Sequence, residues 1–291
     1  MSEVILLAVT GAGLGAIYFL VASGLSLIYG LMGVLNFAHG VFLSLGAFLG
    51  LEVAQRLGAS SWTGFAVSLL VGALAGAVFA ALTERVLVQK LYNRHIEQVL
   101  VTVGLGLAAV ALFDGIWGTD PRFPRGPAWL DETSTIGGAN IPNIVFVAII
   151  AAAAVLAAIV LFLKHTRYGM IIRAGVENRS MVTALGIDVR NAFTLVFTIG
   201  GAAAGIGGVL ASHHFGYVSP MLGQTLLIFA FIVTVIGGLG SLIGAAVASV
   251  LVALLQQFAN FYLWGTGDFA VVVLLALVLL TRPSGLMGRK A

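Results

Sequence analysis

The sequence has no cysteine, and only 9% of its 291 residues are charged. Without cysteine there are no disulfides and no thiolate sites for metal or redox chemistry. Soluble domains carry about 25% charged residues, so the shortage of charge excludes a soluble globular chain. No Gly-x-x-x-x-Gly-Lys-Ser/Thr loop occurs, which removes the phosphate cradle of a nucleotide hydrolase. No polar region is large enough to hold an ATPase. Acids are also scarce: each of the eleven falls at or near the end of an apolar run or in a connection. Ion-coupled carriers keep acids or other ion ligands at mid-membrane. Uphill transport by this chain needs energy from an ion gradient or from another subunit, and the absence tilts the balance towards the subunit. The start, Met1-Ser-Glu3-Val4, has no positive n-region, so the first apolar run is expected to stay in the mature protein.

What is present is apolar: 60% hydrophobic residues, a mean hydropathy of +1.11 and 38 glycines. Small residues allow close backbone approach between membrane helices. The composition predicts an all-α fold, one polytopic bundle of transmembrane helices bound in the lipid bilayer. A span needs about 20 mainly apolar residues, which places segments near 4–28, 33–54, 61–82, 98–117, 142–163, 191–212, 223–240, 243–262 and 264–281. Gly237-Gly-Leu-Gly240-Ser241 supplies a break in the uncharged stretch 223–262, and Gly30-Leu-Met-Gly33 the only one in 11–50. Either region could hold a re-entrant segment, which leaves about eight or nine membrane segments. With the N-terminus outside, eleven of the fourteen basic residues fall inside and three (Arg56, Arg122, Arg125) outside. That imbalance follows the positive-inside rule and favours N-out, C-in. The formal charge of +3 thus reflects orientation, not nucleic-acid binding. The outer connection 118–140 holds Pro121, Pro124, Pro127 and Trp129; its prolines argue against helix, leaving an ordered cap or a plain loop.

The polar island Lys164–Arg190 carries five basic residues against two acids, Glu177 and Asp188. Within it, Arg173 to Ile187 predicts a short helix over roughly 171–185, ended by Gly186, with Ile171, Ala174, Met181 and Leu185 on one stripe. Arg173 and Glu177 stand four apart and can pair. An amphipathic helix on the inner face is placed to touch a partner. Asn36 and His39 sit at the start of the second segment. If it is helical there they share a face, either lining a pathway or bracing a helix start. His213-His214 lacks a second pair at ligand spacing, which favours a loop-end position near the outer surface over a metal site. Gly104-Leu-Gly106, Gly200-Gly201 and the Gly205–Gly208 group favour helix packing.

Three stretches resemble a known family. Gly24-Leu-Ser-Leu-Ile-Tyr-Gly30-Leu-Met-Gly-Val-Leu-Asn36-Phe-Ala-His39-Gly40 is similar to the N-terminal signature of bacterial branched-chain amino acid ABC transporter permeases, in the shorter of the two permeases of that system. The Arg173…Glu177-Asn178…Ala184-Leu185-Gly186-Ile187 stretch resembles the loop by which importer permeases engage their ATPase. It departs from the usual Glu-Ala-Ala opening, with Arg173-Ala-Gly175 instead. Val235 to Gly244 resembles a third family stretch. The resemblance implies one importer transmembrane domain over 1–291, with a cytoplasmic coupling loop at 164–190, in a bacterial inner membrane. It implies a heterodimer with a second homologous permease, two ATP-binding-cassette subunits and a periplasmic solute-binding protein. Arg173, Glu177, Asn178, Ala184 and Gly186 become coupling residues, and Asn36 and His39 pathway or gate residues. No catalytic residue, cofactor or metal is implied. Leucine, isoleucine and valine are the implied cargo, although urea and short-amide permeases share the Asn-x-Ala-His-Gly stretch. A self-contained carrier, or an intramembrane enzyme using His39 or His213-His214, stands as the competing reading.

Overall fold

The computed structural model describes residues 2–33, 36–58, 60–92, 94–184, 186 and 189–288, with no side-chain detail for 176–180. Four helices open the chain: α1 (Ser2–Met32), α2 (His39–Leu57), α3 (Trp62–Thr83) and α4 (His95–Trp117). A single turn, α5 (Ala128–Asp131), and a hairpin of β1 (Thr133–Ile136) and β2 (Ala139–Pro142) follow. Then come α6 (Ile144–His165), α7 (Arg167–Ala184), α8 (Arg190–Phe215), α9 (Leu222–Gly237), α10 (Leu242–Tyr262) and α11 (Gly267–Thr281). Among the described residues, seven helices are long and apolar enough to cross a membrane; α9 and α11, at 16 and 15 residues, are shorter apolar helices.

The chain is a multi-pass membrane helix bundle. Its centre is α1, α2 and α8, which are buried over most of their length, whereas α4 and α6 are fully buried over only a small part of theirs. Glycines set the central contacts. A Cβ at Gly24 of α1 would lie 2.6 Å from Gly200 Cα of α8, and one at Gly46 of α2 would lie 2.6 Å from Gly205 Cα. Gly201, Gly205 and Gly208 likewise abut the backbones of α3 and α2, as the packing expectation required. Gly104 departs from it: among the described residues nothing lies within 4 Å, whereas Gly106 packs against Gln224.

Local chemistry sets the helix boundaries. Ser61 and Ser241 cap α3 and α10 by accepting from Gly64 N and Gly244 N. Gly238 and Gly240, at φ of 101° and 84°, make the expected break between α9 and α10. The connection 118–140 is ordered, with backbone pairing between Arg122 and Val218, but it contains strand and, against the expectation from its prolines, the helical turn α5, which starts directly after Pro127. Its hairpin turns at Gly137-Gly138, both at positive φ, as a type I′ turn demands.

Contacts sort the molecule into two ends. One joins the C-terminal end of α1 to α7 (Leu31 against Gly175), Gly30 to Gly240, and Tyr92 to Phe193. It carries Arg85, Lys90, Arg94, Lys164, Arg167, Arg173, Arg190 and Arg282. The other joins Trp62 to Trp129, Phe65 to His213, and Arg122 to Glu52 at 3.0 Å, and it carries Arg56, Arg122 and Arg125. The first is called the basic end below.

Candidate functional site

The polar island lies at the basic end. Thr166 breaks the chain between α6 and α7 and caps α7, its Oγ1 accepting from Gly169 N at 2.9 Å. The helix runs 18 residues, starting four residues earlier than the expected 171. Its buried face is Gly169, Ile172, Gly175 and Val182, with Gly175 forming a notch for Leu31 of α1. The predicted stripe is a different face: Ile171 is half-buried, Ala174 is exposed, Met181 is 61% exposed, and Leu185 lies outside the described residues. Arg173 and Ala184 are also exposed, on a surface that includes Met170. Glu177 and Asn178 lie within the helix, but their side chains are outside the described residues, so the Arg173–Glu177 pairing is not defined. Gly186 follows the helix at φ 76°, its N–H bonded to Thr183 O, which is the left-handed stop expected there.

Asn36 and His39 are both deeply buried, at 2% and 0% exposure. They do not share a helix face, because α2 begins only at His39 and Asn36 precedes it. Asn36 Oδ1 accepts from Ala38 N at 3.1 Å, and its backbone O accepts from His39 N, so it braces the start of α2. That bond fixes the amide's orientation and leaves Nδ2 without a partner among the described residues; Asn36, Gln98, Thr102 and Phe197 together line a cavity of about 10 Å³. Gln98 Nε2 donates to Leu91 O, and its Oε1 likewise has no partner among the described residues.

His39 Nε2 lies 3.0 Å from Val21 O, a backbone oxygen of α1. Val21 is eleven residues before Met32, so α2 starts about 16 Å inside the basic end of α1. Gly24 makes room for the imidazole: its Cβ would come 2.7 Å from His39 Cε1. The first turn of α9 meets the same region, with Gly223 N donating to Ser44 Oγ at 2.9 Å and Gly40 against Gly223. Two helix N-termini, those of α2 and α9, thus meet within the bundle.

One functional residue was missed by sequence reasoning. Glu84 lies at the end of α3, as expected, but helical structure continues beyond it through a π segment, Glu84–Val88, and a 3₁₀ turn, Gln89–Leu91. The carboxylate is fully buried, accepting from Thr194 Oγ1 of α8 at 2.6 Å and from the Tyr92 hydroxyl. The signal was its position one residue after an apolar run and ahead of Val86-Leu87-Val88. No cluster of three metal-ligating side chains occurs among the described residues, and His213 packs edge-on against Phe65 at the end of α8.

A family model described as the permease component of branched-chain amino acid transport systems matches residues 7–281. The chain belongs to that family. It is 28% identical over 290 residues to the high-affinity branched-chain amino acid transport system permease LivH of Salmonella typhimurium, covering 96% of this chain and 94% of that one. It is 30% identical over 295 residues to BraD of Pseudomonas aeruginosa, a permease of the same description, covering 97% and 94%. A third relative, the permease LivM of Salmonella typhimurium, is 25% identical over 300 residues, covering 93% of this chain and 68% of that protein.

Proposed function

We propose that the chain is one membrane subunit of an ATP-driven importer, carrying leucine, isoleucine or valine delivered by a periplasmic binding protein across the inner membrane. The observation that carries this is α7: a capped helix at the basic end, seated on α1 by Gly175 and presenting Met170, Arg173 and Ala184 outward. A helix exposing apolar side chains among so many cations is a surface made to be covered. In this reading the basic end faces the cytoplasm, and two separate ATPase subunits hydrolyse ATP there. Arg173, Glu177, Asn178, Ala184 and Gly186 transmit their closure to the bundle. Similarity to LivM as well as LivH supports a second homologous permease as the partner across the membrane. The cap formed by 118–140 at the opposite end offers the binding protein its docking surface.

Asn36 and His39 are the gate in this proposal. They hold the entry to α2 within the bundle, where the N-termini of α2 and α9 converge, an arrangement that suits an anionic carboxylate group.

Purification of the intact complex from native membrane, followed by reconstitution in vesicles, tests the assignment. Expected are a co-purifying ATPase pair, a second permease, and uptake of leucine that requires ATP and the binding protein. Uptake by this chain alone under a proton or sodium gradient would overturn it, and uptake of urea in place of leucine would replace the cargo. Within that assay, Gly186→Ala should uncouple ATP hydrolysis from uptake, because alanine resists the left-handed backbone by about 1–2 kcal/mol.

A further inference from the structure

Among the described residues, Glu84 is the only acid that is buried. An ionisable group inside a membrane bundle is costly to hold and marks a working position. The backbone around it is also irregular. Its N–H is shared between Ala80 O and Ala81 O, and Gln89 N–H reaches back five residues to Glu84 O. Such π segments widen the helix and recur at functional sites. The widening delivers both carboxylate oxygens to hydroxyl donors, Tyr92 on one and Thr194 on the other. Tyr92 also meets Phe193 edge-on, with ring centroids 4.9 Å apart.

Thr194 and Phe193 stand in the first turns of α8, which begins at Arg190 where the polar island ends. Along the chain, a displacement of α7 reaches α8 through this turn, as it reaches α6 at the helix's other end. Beyond it, α8 carries Gly200, Gly201, Gly205 and Gly208, the contacts against α1, α2 and α3. We propose that Glu84 is a positioning residue for coupling: with Tyr92 it clamps the first turn of α8 to the end of α3, and α8 moves only when that clamp opens. Hydroxyl bonds to a carboxylate are short and strong, while a buried carboxylate that loses a donor is penalised. The clamp is therefore closed or open, with little in between. This inference rests on α7 being the surface the ATPase works.

The test uses the whole complex in vesicles, with Thr194→Val, Glu84→Gln and Thr194→Ser compared with Gly186→Ala. Loosening the clamp should raise ATP hydrolysis in the absence of binding protein about fivefold or more, and lower cargo delivered per ATP by a similar factor. Thr194→Ser, which keeps the hydroxyl, should restore both values. Thr194→Val combined with Glu84→Gln should be no worse than Glu84→Gln alone, since both changes act on the Thr194–Glu84 bond. Should Glu84→Gln fail to assemble, the near-isosteric Thr194→Val decides the matter by itself. Unchanged cargo per ATP in Thr194→Val, while Gly186→Ala lowers it, would overturn the clamp and leave coupling through α7 standing. Unchanged values in both would overturn the coupling reading and the clamp together.

Discussion

Gly24 shows how much of this molecule is decided at single positions. A methyl group there would strike both Gly200 Cα and His39 Cε1, so α1, α2 and α8 meet at one glycine. Gly24→Ala should cost about 1–3 kcal/mol through forced separation of packed backbones, seen as a lower melting temperature of the detergent-solubilised protein. Gly104→Ala, with nothing within 4 Å, should leave that temperature unchanged or raise it slightly, because alanine favours helix by about 0.5–1 kcal/mol. The glycine excess was legible in the sequence as a packing signal. Which glycines pack was not, since Gly104 and Gly200 sit in equally apolar runs and differ only in what lies opposite.

At the scale of elements, α7 is the instructive case. The island's length, charge and Gly186 stop were all readable, as was an apolar stripe of Ile171, Ala174, Met181 and Leu185, but the face seated in the bundle is that of Ile172, Gly175 and Val182. Both sets satisfy helical spacing, and side-chain hydropathy ranks glycine low as a core residue. The notch at Gly175 that receives Leu31 is a property of two elements, invisible in one. The cap is testable in isolation. Thr166→Ala removes the oxygen that Gly169 N bonds, a loss of about 1 kcal/mol. Amides in the first turn of α7 should then exchange with solvent about fivefold faster by mass spectrometry, with those of α8 unaffected.

For the whole molecule, the division into a basic end and an opposite end carries the functional assignment. The native sequence has no cysteine, so single cysteines can be probed without background. Arg173→Cys on exposed α7 and Thr135→Cys on the exposed hairpin should react with a membrane-impermeant thiol reagent from opposite sides, the first only from the cytoplasm. Labelling of both from one side would refute the proposed layout.

Hydropathy and charge by themselves determined that the chain spans a membrane, roughly where its helices run and which connections gather the cations. These are sums over local stretches, and the cost of burying polar atoms in lipid enforces them whatever the neighbours. Only the tertiary structure decided that α2 starts deep beside Val21, that Asn36 braces that start, and that Glu84 is enclosed between α3 and α8. Such depths depend on which backbone stands across the gap, and that apposition is fixed by the assembled bundle.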